Sequence, residues 1–139
     1  MLKGIPKIVS PQLLKILSEM GHGDEIVIAD GNFPGETYGK RVVRADGIGG
    51  VEMLKAVLAL LPLDSYAPQN FMLMQTVAGD STPTIWEEYF TIAKSDENFR
   101  EGFLERFDFY ERAKQAYAVI ATGEEAIYAN IIIKKGVIK

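Results

Sequence analysis

Apolar residues recur along this chain in two rhythms, one with helical spacing and one in short unbroken runs. Leu13, Leu17 and Met20 share a helical stripe with Ile16 beside them. Ser10 is placed to cap that helix, Pro11 suits its first position, and Gly21 supplies its stop. The run Glu25-Ile26-Val27-Ile28-Ala29-Asp30 is too short for a helix and predicts a strand buried on both faces. Gly31 to Gly39 holds three glycines, a proline and an asparagine, which reads as a loop. Arg41 to Ala45 predicts a short strand. Val51, Leu54, Val57, Leu58 and Leu61 mark a second amphipathic helix that ends before Pro62.

The pattern continues with a strand over Phe71 to Val77. Thr82 and Pro83 read as the cap and first position of a helix running through Trp86, Phe90 and Ala93. Phe103 to Ala116 is mostly helical by composition, with a break near Arg106 to Asp108. Tyr117 to Ala121 and Ala129 to Ile133 are strands separated by a turn at Thr122-Gly123-Glu124. Strands alternating with helices predict an α/β fold. It is a single layered domain over residues 1–139, with a mostly buried, parallel or mixed sheet flanked by helices.

Composition narrows the function classes. The chain is 47% hydrophobic and 24% charged, which excludes a disordered or fibrous protein. It contains no cysteine, so disulfides, thiolate metal sites, iron–sulfur clusters and a cysteine nucleophile all drop out. The same absence suits a cytoplasmic protein. Fifteen Lys and Arg against nineteen Asp and Glu leave a net charge of −4, with no basic block to bind nucleic acid or an anionic membrane. The longest apolar stretch, Val57 to Leu63, is too short to span a bilayer.

His22 is the only histidine, held between Gly21 and Gly23 just past a helix end. Its imidazole can donate and accept protons near neutrality. A cation there would equally stabilise the helix dipole. Asp24, Asp30, Asp46 and Asp64 lie at ends of predicted elements, where short carboxylates either terminate turns or grip a hydroxyl-rich ligand. One histidine and no cysteine leave only oxygen ligands for a metal, and no calcium-loop spacing is present. Gly47-Ile48-Gly49-Gly50 lacks the further glycine of a dinucleotide loop, since Glu52 stands there, and reads as a tight strand-to-helix turn. None of the serines sits in a nucleophile elbow. Phe107, Phe109 and Tyr110 read as core. Arg106, on these grounds alone, reads as a surface arginine paired with Glu101 or Glu105.

Several segments taken together carry a resemblance. Met20-Gly21-His22-Gly23-Asp24-Glu25 followed by Asp30 resembles the opening of the ribose pyranase and fucose mutarotase family. Val43-Arg44-Ala45-Asp46-Gly47, Leu63-Asp64-Ser65-Tyr66-Ala67-Pro68 and Phe109-Tyr110-Glu111-Arg112-Ala113 resemble its fucose branch. Ala121-Thr122-Gly123-Glu124, Tyr128-Ala129-Asn130-Ile131 and Lys134-Lys135-Gly136-Val137 resemble its C-terminal end. The matches run in order over nearly the whole chain.

The resemblance implies an α/β fold, a mutarotase activity without cofactor or metal, and ring-shaped homo-oligomers with the monosaccharide site near subunit contacts. It implies that His22 is the proton donor. Asp30 then corresponds to a sugar-binding carboxylate, and Arg106 to a sugar-binding position that is arginine in the fucose branch. Tyr128 and Asn130 match the C-terminal binding segment, where Ala129 stands in for the more usual glycine. The implied reaction interconverts α and β anomers of L-fucose or a related monosaccharide. A ribose pyranase, exchanging pyranose and furanose forms, is the alternative within the family. A non-catalytic sugar-binding assembly protein is the alternative outside enzymes.

Overall fold

The computed structural model describes all residues, 1–139. Ser10 caps the first helix as the pattern predicts: its Oγ accepts the Leu13 amide at 3.1 Å, and Pro11 opens helix α1, Pro11–Glu19. Strand β1, Glu25–Ala29, follows. A single helical turn, α2 (Gly35–Tyr38), leads to β2, Val42–Ala45, and then to helix α3, Gly50–Leu58. Strand β3, Phe71–Met74, precedes helix α4, Ile85–Ala93, and β4, Glu101–Leu104. Helix α5, Arg106–Gln115, and strands β5, Ala118–Thr122, and β6, Ile131–Lys134, complete the chain.

The six strands form one mixed sheet in the order β2-β5-β1-β6-β3-β4. Strands β1, β2 and β5 are mutually parallel, as are β3 and β4, and β6 runs antiparallel between the two sets. The predicted mixed, buried sheet is therefore present. The unbroken apolar run of β1 is explained by its two covered faces. Ile26 and Ile28 pack with α1, α3 and α4 in the larger core, while Val27 and Ala29 pack with Phe109 and Ala113 of α5 in the smaller one. Burying Ile26, Val27 and Ile28 contributes roughly 1.5–3 kcal/mol each.

Several expectations need correction: β3 stops at Met74 rather than Val77, and the break expected near Arg106 to Asp108 is the start of α5. Phe103 is in strand β4, not a helix. This strand pairs only with β3 and is buried only at Gly102, where the Gln69 side chain fills the space a Cβ would take. Such a short, largely exposed edge strand carries little of the burial alternation that marks a strand. The 31–39 loop contains the α2 turn, too short to show a helical period. Helix α4 begins at Ile85 rather than at Pro83, and Thr84 makes no side-chain cap.

The direction of the strands sorts the polar residues between two ends of the sheet. Asp30 leaves the C-terminal end of β1, and Asn130 enters β6 beside it, because Ile28 pairs with Ile131. Met74 ends β3, and Arg106 follows β4 by two residues at that same end. His22 and Asp24 precede β1 at the other end, where Gly23 donates its amide to Lys135 O just beyond β6. At about 3.3 Å per residue, the six steps from Asp24 to Asp30 separate the two ends by roughly 20 Å.

Candidate active site

A cavity of about 330 Å³ opens at the C-terminal end of β1, lined by Asp30, Asn32, Phe33, Met74, Val77, Asp80, Arg106, Tyr110, Ile127, Tyr128 and Asn130. Crevices outside the carboxyl ends of strands are the usual ligand site of α/β sheets, since loops there converge on one mouth. Four of the five residues singled out from the sequence, Asp30, Arg106, Tyr128 and Asn130, meet in this cavity. His22 does not.

Asp30 is the anchor. It is only 5% exposed, and each of its carboxylate oxygens is held. Oδ1 accepts the Asn32 amide at 3.0 Å, and Oδ2 accepts Asn130 Nδ2 at 3.1 Å and the Ala129 amide at 3.3 Å. In return the Asp30 amide donates to Asn130 Oδ1 at 2.7 Å. Burial raises the carboxyl's pKa, and these donors offset only part of the rise. Tyr128 has the only positive φ among non-glycine residues, 54°, and projects its phenol along the cavity. Its hydroxyl donates to Asp80 Oδ2 at 2.5 Å, and that hydrogen bond pushes the phenol's pKa up.

Arg106 is the first residue of α5, and its Nε donates to the Tyr110 hydroxyl one turn later, at 3.1 Å. It makes no ion pair with Glu101 or Glu105. Glu105 is occupied as the helix cap, accepting the amides of Phe107 and Asp108. Tyr110 therefore belongs to the cavity wall rather than to the core, while Phe109 is fully buried and Phe107 largely exposed.

At the opposite end of the sheet His22 forms a second polar cluster. Its Nε2 lies 2.9 Å from Asp64 Oδ1, and its ring lies 5.3 Å from that of Tyr66. The His22 side chain is 47% exposed while Asp64 is buried. Asp64 Oδ2 also accepts the Ala67 amide at 2.8 Å. Burial works against the Asp64 charge, but the hydrogen bonds from His22, Ala67 and Tyr66 outweigh it and hold the carboxyl below the ordinary range. No group of three His, Asp or Glu side chains gathers as a metal would require. No helix is long and apolar enough to cross a membrane.

These two clusters belong to a chain whose residues 3–138 match the model of the RbsD / FucU transport protein family. The chain belongs to that family. The resemblance read from the motifs between Met20 and Val137 is thereby borne out. Within the RbsD / FucU family the chain is 51% identical to an L-fucose mutarotase of Haemophilus influenzae, covering 99% of this chain and 97% of that one. It is 49% identical to the fucose mutarotase of Homo sapiens, covering 99% and 94% of the two chains. The crystal structure of the Streptococcus pneumoniae fucose mutarotase in complex with L-fucose superposes with a TM-score of 0.95 at 49% identity, covering 99% of this chain and all of that one.

Several residues of these clusters, Asp80 among them, are not legible as such in the sequence. Asp64 is one of four carboxylates at element ends, with nothing to say that it meets a histidine 42 positions away. Tyr110 reads as core because its neighbours are aromatic. The separation of four between Arg106 and Tyr110 on one helix is the signal that places them together.

Proposed function

We propose that this protein is a cofactor-independent mutarotase that interconverts the α and β anomers of L-fucose or a closely related monosaccharide. The observation that carries the reading is the convergence of Asp30, Arg106, Tyr128 and Asn130 on one cavity. Full-length similarity to fucose mutarotases supports the same reading.

Anomer exchange needs a proton delivered to the ring oxygen and one removed from the anomeric hydroxyl. The ring then opens to the aldehyde, the C1–C2 bond rotates, and closure on the other carbonyl face gives the other anomer. Asp30 accepts from sugar hydroxyls, Arg106 donates a planar fork to neighbouring oxygens, and Tyr128 and Asn130 complete the hydrogen bonds. Phe33, Met74 and Ile127 supply an apolar wall for the sugar's C–H face. His22 is the proton donor. Asp64 holds its Nε2, so Nδ1 is the nitrogen free to exchange protons, and a positioned histidine is worth about 10²–10⁴-fold in such transfers.

His22 and the cavity lie at opposite ends of the sheet, so one copy's His22 must serve the cavity of the next. Such a head-to-tail contact, repeated, closes a ring when the rotation from copy to copy divides a full turn, and the ring is the closed form we propose. Exposed apolar side chains at both ends favour this arrangement: Phe107, Ile127 and Val77 by the cavity, and Tyr66, Val137 and Ile138 by His22. We place this ring in the cytoplasm, in keeping with a cysteine-free chain.

Saturation transfer between anomeric proton signals, measured on a panel of sugars, tests the substrate. Enzyme-dependent exchange of L-fucose anomers is the expected result. Acceleration of ribose pyranose–furanose exchange with none on fucose would establish the ribose alternative. Sugar binding without exchange of any kind would leave a binding protein.

A further inference from the structure

Tyr128 and Asn130 reach the cavity only because the backbone between them is held in one unusual form. Tyr128 sits at φ 54°, a conformation that a bulky side chain keeps only when its surroundings impose it. The peptide group joining Tyr128 to Ala129 is gripped on both sides. Its N–H donates to Asp30 Oδ2 at 3.3 Å, inside the site. Its carbonyl accepts the indole Nε1–H of Trp86 at 2.7 Å, from outside. The next carbonyl, of Ala129, accepts the Tyr89 hydroxyl at 3.1 Å.

Trp86 and Tyr89 both project from α4, and neither lines the cavity. Tyr89 is completely buried, and burial raises its phenol's pKa so that it remains a donor at any working pH. Its hydroxyl occupies the space that a Cβ at residue 50 would fill, so Gly50 at the start of α3 is what lets α4 approach this closely. The same glycine's amide is tied to Glu124 Oε1 at 2.9 Å, and Glu124 O accepts the Gly31 amide at 2.8 Å. The frame around Asp30 thus returns to α3 and α4 from both directions.

We infer that Trp86 and Tyr89 are positioning residues that set the Tyr128–Asn130 segment, and through its peptide N–H the Asp30 carboxylate, for sugar binding. The inference rests on the reading of the cavity as the sugar site. Rotating the Tyr128–Ala129 peptide to free its carbonyl would swing its N–H away from Asp30. Hydrogen bonds in such a series also polarise one another, so loss of the indole donor weakens the bond on the far side.

Trp86→Phe removes the N–H and keeps an aromatic ring against Phe103, whose centroid lies 5.5 Å away. Hydrogen–deuterium exchange by mass spectrometry on the ligand-free protein reads the peptide containing 126–131 against one from β5. In this variant the former should exchange about tenfold faster and the latter unchanged, because the opening is local. In anomer exchange the KM for L-fucose should rise about fivefold or more with kcat within about twofold, the mark of lost binding rather than lost chemistry. Tyr89→Phe, which removes one oxygen, should show the same pattern more weakly, and it decides the matter if Trp86→Phe does not fold. Unchanged exchange of 126–131 in both variants overturns the inference. Equal acceleration in all peptides, the sign of a purely structural role, also overturns it. Wild-type protein inert towards fucose would overturn the reading of the site and with it the role in sugar binding, while the hydrogen-exchange comparison would still decide whether Trp86 and Tyr89 hold the 128–130 segment.

Discussion

Replacing Asp64 by asparagine should cost both stability and activity, with a pH signature that separates the two. The side chain keeps its shape, so the introduced amide can still offer one oxygen to the Ala67 N–H, 2.8 Å from Oδ2 in the wild type. Its NH₂ then faces the His22 nitrogen that was 2.9 Å from Oδ1, forcing that nitrogen to become an acceptor. A hydrogen bond to a charged group contributes about 1.5–3 kcal/mol. The half-exposed imidazole brings the expected loss towards the lower end, about 1–2 kcal/mol at neutral pH. The Asp64 carboxyl lies below its ordinary value in the folded protein, so its contribution is fully present above the unfolded value of about 3.9 and is lost as pH falls through the lower folded one. Urea melts of wild type and Asp64→Asn at a fixed protein concentration should differ by that amount at pH 7 and converge towards pH 3. Fucose exchange should fall by about 10²-fold or more, because the imidazole is left in the wrong tautomer and loosely held. A stability gap independent of pH, or full activity in the variant, would refute the pairing as the basis of His22 function.

Arg106→Ala should weaken L-fucose exchange by about ten- to hundredfold, the effect of losing charged hydrogen bonds to the sugar, with the melting curve unmoved. Saturation transfer at several fucose concentrations reads it, and an unchanged KM would remove Arg106 from the site. Gly50→Ala pushes a methyl group into the Tyr89 hydroxyl and should destabilise the fold by about 1–3 kcal/mol in a urea melt, whereas a neutral effect would show that α3 and α4 are not in fixed contact.

Strong local patterns make much of the fold legible. β1 is readable because burial on both faces leaves an unbroken apolar run, and α1 because Ser10 and Pro11 state its start. Strand β4 is not, because an edge strand with one buried residue has no apolar rhythm to detect. Arg106, Tyr128 and Asn130 enter only through whole-chain resemblance, since exposed or turn-borne polar residues look alike in a single sequence. Their convergence depends on β6 running against its neighbours, a pairing no local pattern encodes. The distance between His22 and Asp30 is, by contrast, already implicit: a strand that separates two residues cannot also bring them together.

That separation is the basis of the shared-site account, and mixing two impaired variants tests it most directly. His22→Ala retains an intact cavity, and Arg106→Ala retains an intact histidine cluster. The two are unfolded together, refolded as a mixture and assayed for L-fucose anomer exchange. If each site takes His22 from one copy and Arg106 from the next, random assembly into closed rings makes about one site in four complete, and about a quarter of wild-type activity returns. Activity no higher than the average of the two variants refolded separately would contradict the account, because it would place both residues of each working site on the same chain.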